Sequence, residues 1–244
     1  MSWTITPQTK VPVDPYRSQV SLLLHGDGAN GSTTIVDSSP TPKTVTAFGN
    51  AQISTAQSKF SGASVSFANT NASGDSNRLT IPSVSDFDLA TSNFTIESWV
   101  YLNNSNGGGI VGKQRGVSSW GEYVFASLSS SRYLFFGCTT GGESGSGWTM
   151  INLTASIAVP LQSWAHVAVT RSGSVFTLWI DGASAGNATS SSSITSGSGL
   201  LSIGSSKDSG ALGMNGYIDD LRITKGVARY TANFTPPTAP FPDI

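Results

Sequence analysis

A chain of 244 residues with a formal net charge of −1 carries no clustered Lys and Arg that would gather nucleic-acid phosphates or anionic lipid, so nucleic-acid partners are excluded as an expectation. Charged residues make up 11% and hydrophobic ones 38%, with Gly, Ser and Thr abundant, which suits many short strands joined by turns and excludes a helical protein. The lone Cys138 cannot form an intrachain disulfide. No run approaches the ~18 apolar residues of a membrane span, and residues 1–15 hold no signal-peptide core, so neither a leader nor membrane insertion is expected.

Residues 1–18 are polar and broken by Pro7, Pro12 and Pro15, which predicts an extended N-terminal arm, a candidate anchor. The apolar run 20–25, stopped by Gly26-Asp27-Gly28, predicts a buried strand, and 26–44 a loop. Short strands are predicted at 45–46, 63–67 and 78–81, the last ended by Pro82. Residues 94–101 alternate: Phe94, Ile96, Ser98 and Val100 share one face, and Thr95, Glu97, Trp99 and Tyr101 the other. Strands at 110–111, 122–128 and 132–138 follow, separated by Gly/Ser-rich turns. Residues 164–180 read as a hairpin turning at 172–174, ahead of Asp181-Gly182. The Ser/Thr/Gly stretch 184–199 is predicted as loop; strands at 200–203 and 216–223 and a polyproline-like tail over 236–244 complete the pattern. About a dozen short strands without an amphipathic helix require paired sheets, hence an all-β antiparallel sandwich over 19–235 with extended ends.

Six blocks in order carry a resemblance. They are Leu-Leu-Leu-His-Gly-Asp-Gly at 22–28, Ser-Lys-Phe-Ser-Gly-Ala-Ser-Val-Ser-Phe at 58–67, Phe-Thr-Ile-Glu-Ser-Trp-Val at 94–100, Trp-Ala-His-Val-Ala-Val-Thr-Arg at 164–171, Trp-Ile-Asp-Gly at 179–182, and Gly-Tyr-Ile-Asp-Asp-Leu-Arg-Ile-Thr-Lys-Gly-Val-Ala-Arg-Tyr at 216–230. Together they resemble the phage and bacterial branch of laminin-G-like, concanavalin A-like jelly-roll domains. The resemblance implies a two-sheet jelly roll of the kind found on virion surfaces and engaging glycans. The ending Ala-Arg-Tyr-Thr-Ala-Asn-Phe-Thr-Pro-Pro at 228–237 looks most like the phage versions.

The same fold hosts glucanases, whose retaining chemistry needs two carboxylates on one strand face. The only glutamates are Glu97, Glu122 and Glu143, and no strand offers such a pair, so no catalytic residue is assigned. Glu97 is expected to be satisfied by backbone or a basic neighbour on a half-exposed sheet face. No Gly-x-Ser-x-Gly elbow joins a strand to a helix, and His25 and His166, in apolar runs, are expected to be hydrogen-bonded within the fold. The resemblance implies a structural calcium held by Asp219 with Asp27 as partner, Asp220 substituting if the strand phase shifts by one. For a glycan, which needs an aromatic face with oriented polar groups, Trp120 and Trp148 are the candidates, because small residues flank both; Tyr123, Arg115 and Asn106 would supply hydrogen bonds. Trp99, Trp164 and Trp179, within strands, are assigned to the core. The expectation is a non-catalytic virion-surface protein, a capsid decoration or tail-fibre component, with other virion proteins and host-surface glycans as partners and a trimer as the candidate oligomer. The alternative is a glycan-binding module of a bacterial surface or secreted protein.

Overall fold

The computed structural model describes residues 13–69, 77–114, 121–140, 147–207 and 212–244. The strands are, in chain order, β1 (Val20–Leu24), β2 (Thr46–Phe48), β3 (Gln52–Ser54), β4 (Ser64–Ala68), β5 (Arg78–Ile81), β6 (Phe94–Leu102), β7 (Gly108–Lys113), β8 (Tyr123–Ser127), β9 (Tyr133–Cys138), β10 (Ile151–Ala158), β11 (Trp164–Ser172), β12 (Val175–Ile180), β13 (Ala183–Thr189), β14 (Leu201–Ile203) and β15 (Asn215–Lys225). Two 3-10 turns, Arg17–Gln19 and Ser85–Phe87, are the helical elements among the described residues.

An eight-stranded sheet, in the order β13-β12-β11-β6-β15-β4-β3 with β1 pairing along β15, faces a seven-stranded sheet, β10-β9-β8-β7-β14-β5-β2. Between them lies one continuous core. Strand alternation fills it: β6 sends in Phe94, Ile96, Val100 and Leu102, β11 sends Ala165, Val167 and Val169, and β9 answers with Leu134, Phe136 and Cys138. The antiparallel jelly-roll sandwich expected from the strand pattern is therefore the observed one.

Three segments differ from the sequence reading, the shortest being β3, which received no assignment. Residues 183–189, expected to open a loop, form β13, paired with β12 through a two-residue turn in which Asp181 and Gly182 both take positive φ, 49° and 79°. As an edge strand it needs few apolar residues: Ala185 is buried and most of its neighbours stay wet. Residues 151–158, which received no assignment, form β10, where Ile151, Leu153 and Ala155 are buried in alternation with exposed Asn152, Thr154 and Ser156.

The last strand explains why its sequence does not alternate cleanly. Across from β6, Asp219 pairs with Trp99 and Arg222 with Glu97, leaving Asp220 and Leu221 opposite one residue. This bulge puts Asp220 at φ 51° and brings both Ile218 and Leu221 into the core while Asp219 and Arg222 stay on the outer face. It also marks where the flanking partner of β15 changes from β4 to β1.

Candidate functional site

The outer face of the eight-stranded sheet is covered except at the end that carries Tyr101 and Trp164. Residues 227–244 and 13–19 return across it, and beneath them lies a buried ionic network. Glu97 is fully buried, not half-exposed as expected; its Oε1 accepts from Arg222 Nε and Nη2 at 3.0 and 2.8 Å, and its Oε2 from the Tyr230 hydroxyl at 2.6 Å, with His166 Nε2 at 3.2 Å. Burial alone would raise this carboxyl, but the Arg222 charge and the His166 and Tyr230 bonds outweigh it and hold the group down at about 2. Asp14 receives Arg229 through both terminal nitrogens at 2.9 and 2.7 Å, and Arg222 at 3.2 Å. Trp99 and Trp179 are buried on this outer face, under Phe60 and Phe234, and not between the sheets. Trp164 corrects its assignment: it is half-buried on the outer surface, beside Tyr101, because it sits at the strand end the returning segments leave uncovered. Both histidines are hydrogen-bonded within the fold. His25 Nδ1 lies 2.5 Å from Asp220 and Nε2 lies 2.7 Å from Asp243; burial would lower its pKa, but these two carboxylates raise it to about 9.

The bulge separates the duties of the paired aspartates. Asp219 Oδ2 accepts the backbone N–H of Lys59 at 2.7 Å and of Phe60 at 3.0 Å, whereas Asp220 Oδ2 accepts that of Phe241 at 2.6 Å. Burial, with the charges of Asp220 and Asp27, raises the Asp219 carboxyl to about 7, and burial raises Asp27 as well. Asp27, which the sequence reading paired with Asp219, lies near enough for its charge to act on that carboxyl. Among the described residues, no three His, Cys, Asp or Glu side chains are arranged to hold a metal, so an ion here would need main-chain and solvent oxygens.

The outer face of the seven-stranded sheet is different. Strand phase places Val124, Ala126 and Phe135 outward as a separate apolar cluster, with Leu128 and Trp148 packed on it. Trp148 lies across Gly137: a Cβ there would sit 2.4 Å from the indole, so only glycine lets the ring lie flat on β9. The segment after β14 crosses the same face over Gly109 and Gly112 in the same way. Between these walls is an apolar cavity of about 380 Å³, floored by Val124, Ala126, Phe135 and Trp148. Asn106, Gln114 and Ser127 also line it, and the buried Ser127 hydroxyl makes no hydrogen bond.

Of the five glycan candidates, Trp148 and Asn106 come together in this cavity. Tyr123 does not: the phase of β8 turns it inward, where it is fully buried and its hydroxyl donates to the Phe87 carbonyl at 3.1 Å. Trp120 and Arg115 lie outside the described residues. Phe135, Val124 and Gly137 are the contributors that sequence reasoning missed; the outward phase of 132–138, adjacent to the apolar side chains of 122–128, is the signal that would have found them.

A family model described as the concanavalin A-like lectin/glucanases superfamily, of the laminin G type, matches residues 73–229. No curated protein matches by sequence. Among solved structures, the binding domain of paraclostridial mosquitocidal protein 1 is 14% identical over 88% of this chain and 50% of its own, with a TM-score of 0.64. The receptor binding domain of botulinum neurotoxin D is 14% identical over 87% and 51%, with a TM-score of 0.59. Domain 4 of AbnA, an extracellular arabinanase from Geobacillus stearothermophilus solved with arabinotriose, is 16% identical over 85% and 93%, with a TM-score of 0.50. The chain thus spans about half the length of the two toxin domains, and the likeness to all three is one of fold. With strand order, core and family match in agreement, this chain belongs to the concanavalin A-like lectin/glucanases superfamily.

Proposed function

We propose that this protein is a non-catalytic glycan-binding module whose site is the cavity on the outer face of the seven-stranded sheet. The observation that carries the reading is the cavity itself: about 380 Å³, floored by Phe135 and Trp148, with Asn106, Gln114 and Ser127 among its lining. An aromatic surface takes the apolar face of a sugar ring, and a few fixed polar groups orient its hydroxyls. That a similar fold carries arabinotriose in the arabinanase domain supports the same class of ligand. Non-catalytic action is supported by Glu97, whose carboxylate oxygens are both engaged beneath the covered face of the other sheet. The phage-like ending at 228–237 favours display on a virion, with other virion proteins as neighbours; cryo-electron microscopy of the encoding particle would show the jelly roll on the capsid or tail, and its absence there would leave the free glycan-binding module.

A glycan array probed with the full chain is expected to return a defined set of oligosaccharides. Trp148→Ala is expected to weaken their binding about five- to thirtyfold, on the scale of about 1–2 kcal/mol for a lost aromatic contact. Gly137→Ala, which keeps the indole but displaces it, is expected to weaken the same ligands. An array with no signal, or equal signal from folded Trp148→Ala, would refute the site.

Structural calcium belongs to this proposal as a stabilising ion held by Asp27 and Asp219. The fit rests on the charges of Asp27 and Asp220 acting on the buried Asp219 carboxyl, like-charge repulsion that a dication would offset. Calcium at a hundredfold excess over its Kd is expected to raise Tm by about 5–10 °C relative to chelator. Asp219→Asn, which keeps an acceptor for Lys59 and Phe60, is expected to remove the increment. Identical melting with calcium and with chelator would exclude the ion.

A further inference from the structure

Lys113 ends β7 with its side chain turned inward, fully buried. Its Nζ donates to Asp88 Oδ1 at 3.0 Å, to the Gly197 carbonyl at 2.9 Å, and to Glu122 Oε1. Glu122 is buried too, and its other carboxyl oxygen makes no hydrogen bond. Two fully buried rings are their chain neighbours: Phe87 immediately precedes Asp88 and Tyr123 follows Glu122. The backbone is fixed at each corner, with Glu122 N–H donating to the Lys113 carbonyl at 2.8 Å and Asp88 N–H to the Ser85 carbonyl at 3.1 Å.

An ammonium held among carboxylates in such surroundings loses much of its hydration and is fixed against the carboxyl oxygens it touches. Burial pushes Glu122 up to about 7 even against the pull of Lys113, so this group can hold or release a proton near neutrality. A lysine nitrogen held beside a carboxyl carbon, with a proton carrier touching that nitrogen, is the arrangement amide formation requires. We propose that Lys113 and Asp88 become joined by an intramolecular isopeptide bond, with Glu122 as the catalytic proton shuttle.

In the step, the Nζ lone pair attacks Asp88 Cγ and the N–C bond forms. Glu122 takes a proton from Nζ and returns it to an Asp88 carboxyl oxygen, the Cγ–O bond breaks, and one water leaves. Ammonium plus carboxylate gives amide plus water, so charge and atoms balance without an oxidant, reductant or activating co-substrate. The Asp88 side chain is 30% exposed, which gives the water an exit. Fixing both reactants in the fold supplies effective molarities of roughly 10⁵–10⁸ M, which offsets the weak electrophilicity of a carboxyl. The product exchanges two charges for one neutral amide and ties the turn before β6 to the middle of the seven-stranded sheet.

Intact mass of the purified full chain, followed by tryptic digestion and tandem mass spectrometry, tests this. The expected result is a mass one water below that of the sequence, with a branched peptide joining Lys113 to Asp88 and no cleavage after Lys113. Glu122→Gln, which preserves shape, and Asp88→Ala are each expected to restore the full mass. A full mass in the wild-type chain, with the Lys113 amine open to acylation after denaturation, would show an ordinary buried ion cluster and overturn the proposal. So would a lost water traced to another position.

Discussion

Replacing Glu97 by Ala is expected to destabilise the protein by about 3–5 kcal/mol, a large part of the margin of an ordinary domain. The loss does not come from an attraction alone. Removing the carboxylate leaves Arg222 buried without its main counter-charge, and His166 and Tyr230 without the acceptor both were aimed at. Glu97→Gln should recover part of the loss, since an amide oxygen still accepts hydrogen bonds. The pH dependence follows from the sign of the shift: a carboxyl held at about 2, against 4.5 unfolded, contributes fully above pH 4.5 and loses its contribution as pH falls through 2. A shift of that size is on the order of 3 kcal/mol, the same scale as the loss expected for Glu97→Ala. Urea unfolding of wild type and Glu97→Gln between pH 6 and 2.5 checks it: the two stabilities should converge toward acid. Parallel curves would mean that the Glu97 charge does not couple to folding. Sugar binding by folded Glu97→Gln should be unchanged, since the cavity lies on the opposite sheet's outer face.

What could be read in the sequence was what depends on local period. The phase of 94–101 put Glu97 and Trp99 on the face away from Phe94 and Ile96, and the structure agrees. What covers that face could not be read, because the cover comes from distant segments, 13–19, Phe60 and 227–244, which show no strand period. Glu97 and Trp99 consequently changed from half-exposed and core to fully enclosed under a returning chain. The two aspartates at 219 and 220 behaved similarly: a bulge adds one residue and preserves the hydrophobic count, so sequence admits either phase and the fold uses both. For the candidate site, Trp148 and Asn106 were found from loop composition, whereas Tyr123 was misplaced because a turn-adjacent tyrosine and a core tyrosine differ only in strand phase. The Asp-Gly turn at 181–182 signalled β13, but the polar sequence after it hid an edge strand that needs little burial.

The Pro-rich ending carries the second large effect. Phe241 is 4% exposed, packed with Val20 and Leu23, and the Arg222 guanidinium lies 3.6 Å from its ring centroid. Its backbone N–H donates to Asp220 at 2.6 Å, two residues later Asp243 meets His25 at 2.7 Å, and the Ile244 carbonyl accepts from Asp14 N–H at 2.7 Å. The prolines on either side limit the unfolded chain's freedom, so little entropy opposes this docking. Phe241→Ala is therefore expected to cost about 3–5 kcal/mol, the figure for deleting a buried phenylalanine, with part of it arising from Arg222 losing the ring that shields its pairing with Glu97. Ile244→Ala, three residues on and 55% exposed, should stay within about 0.5 kcal/mol. Equilibrium urea unfolding of both variants separates the two ideas of this segment. A large loss at 241 with none at 244 identifies one anchoring ring that closes the Glu97 network, whereas equal and small losses would mean that the tail rests on the sheet without holding it.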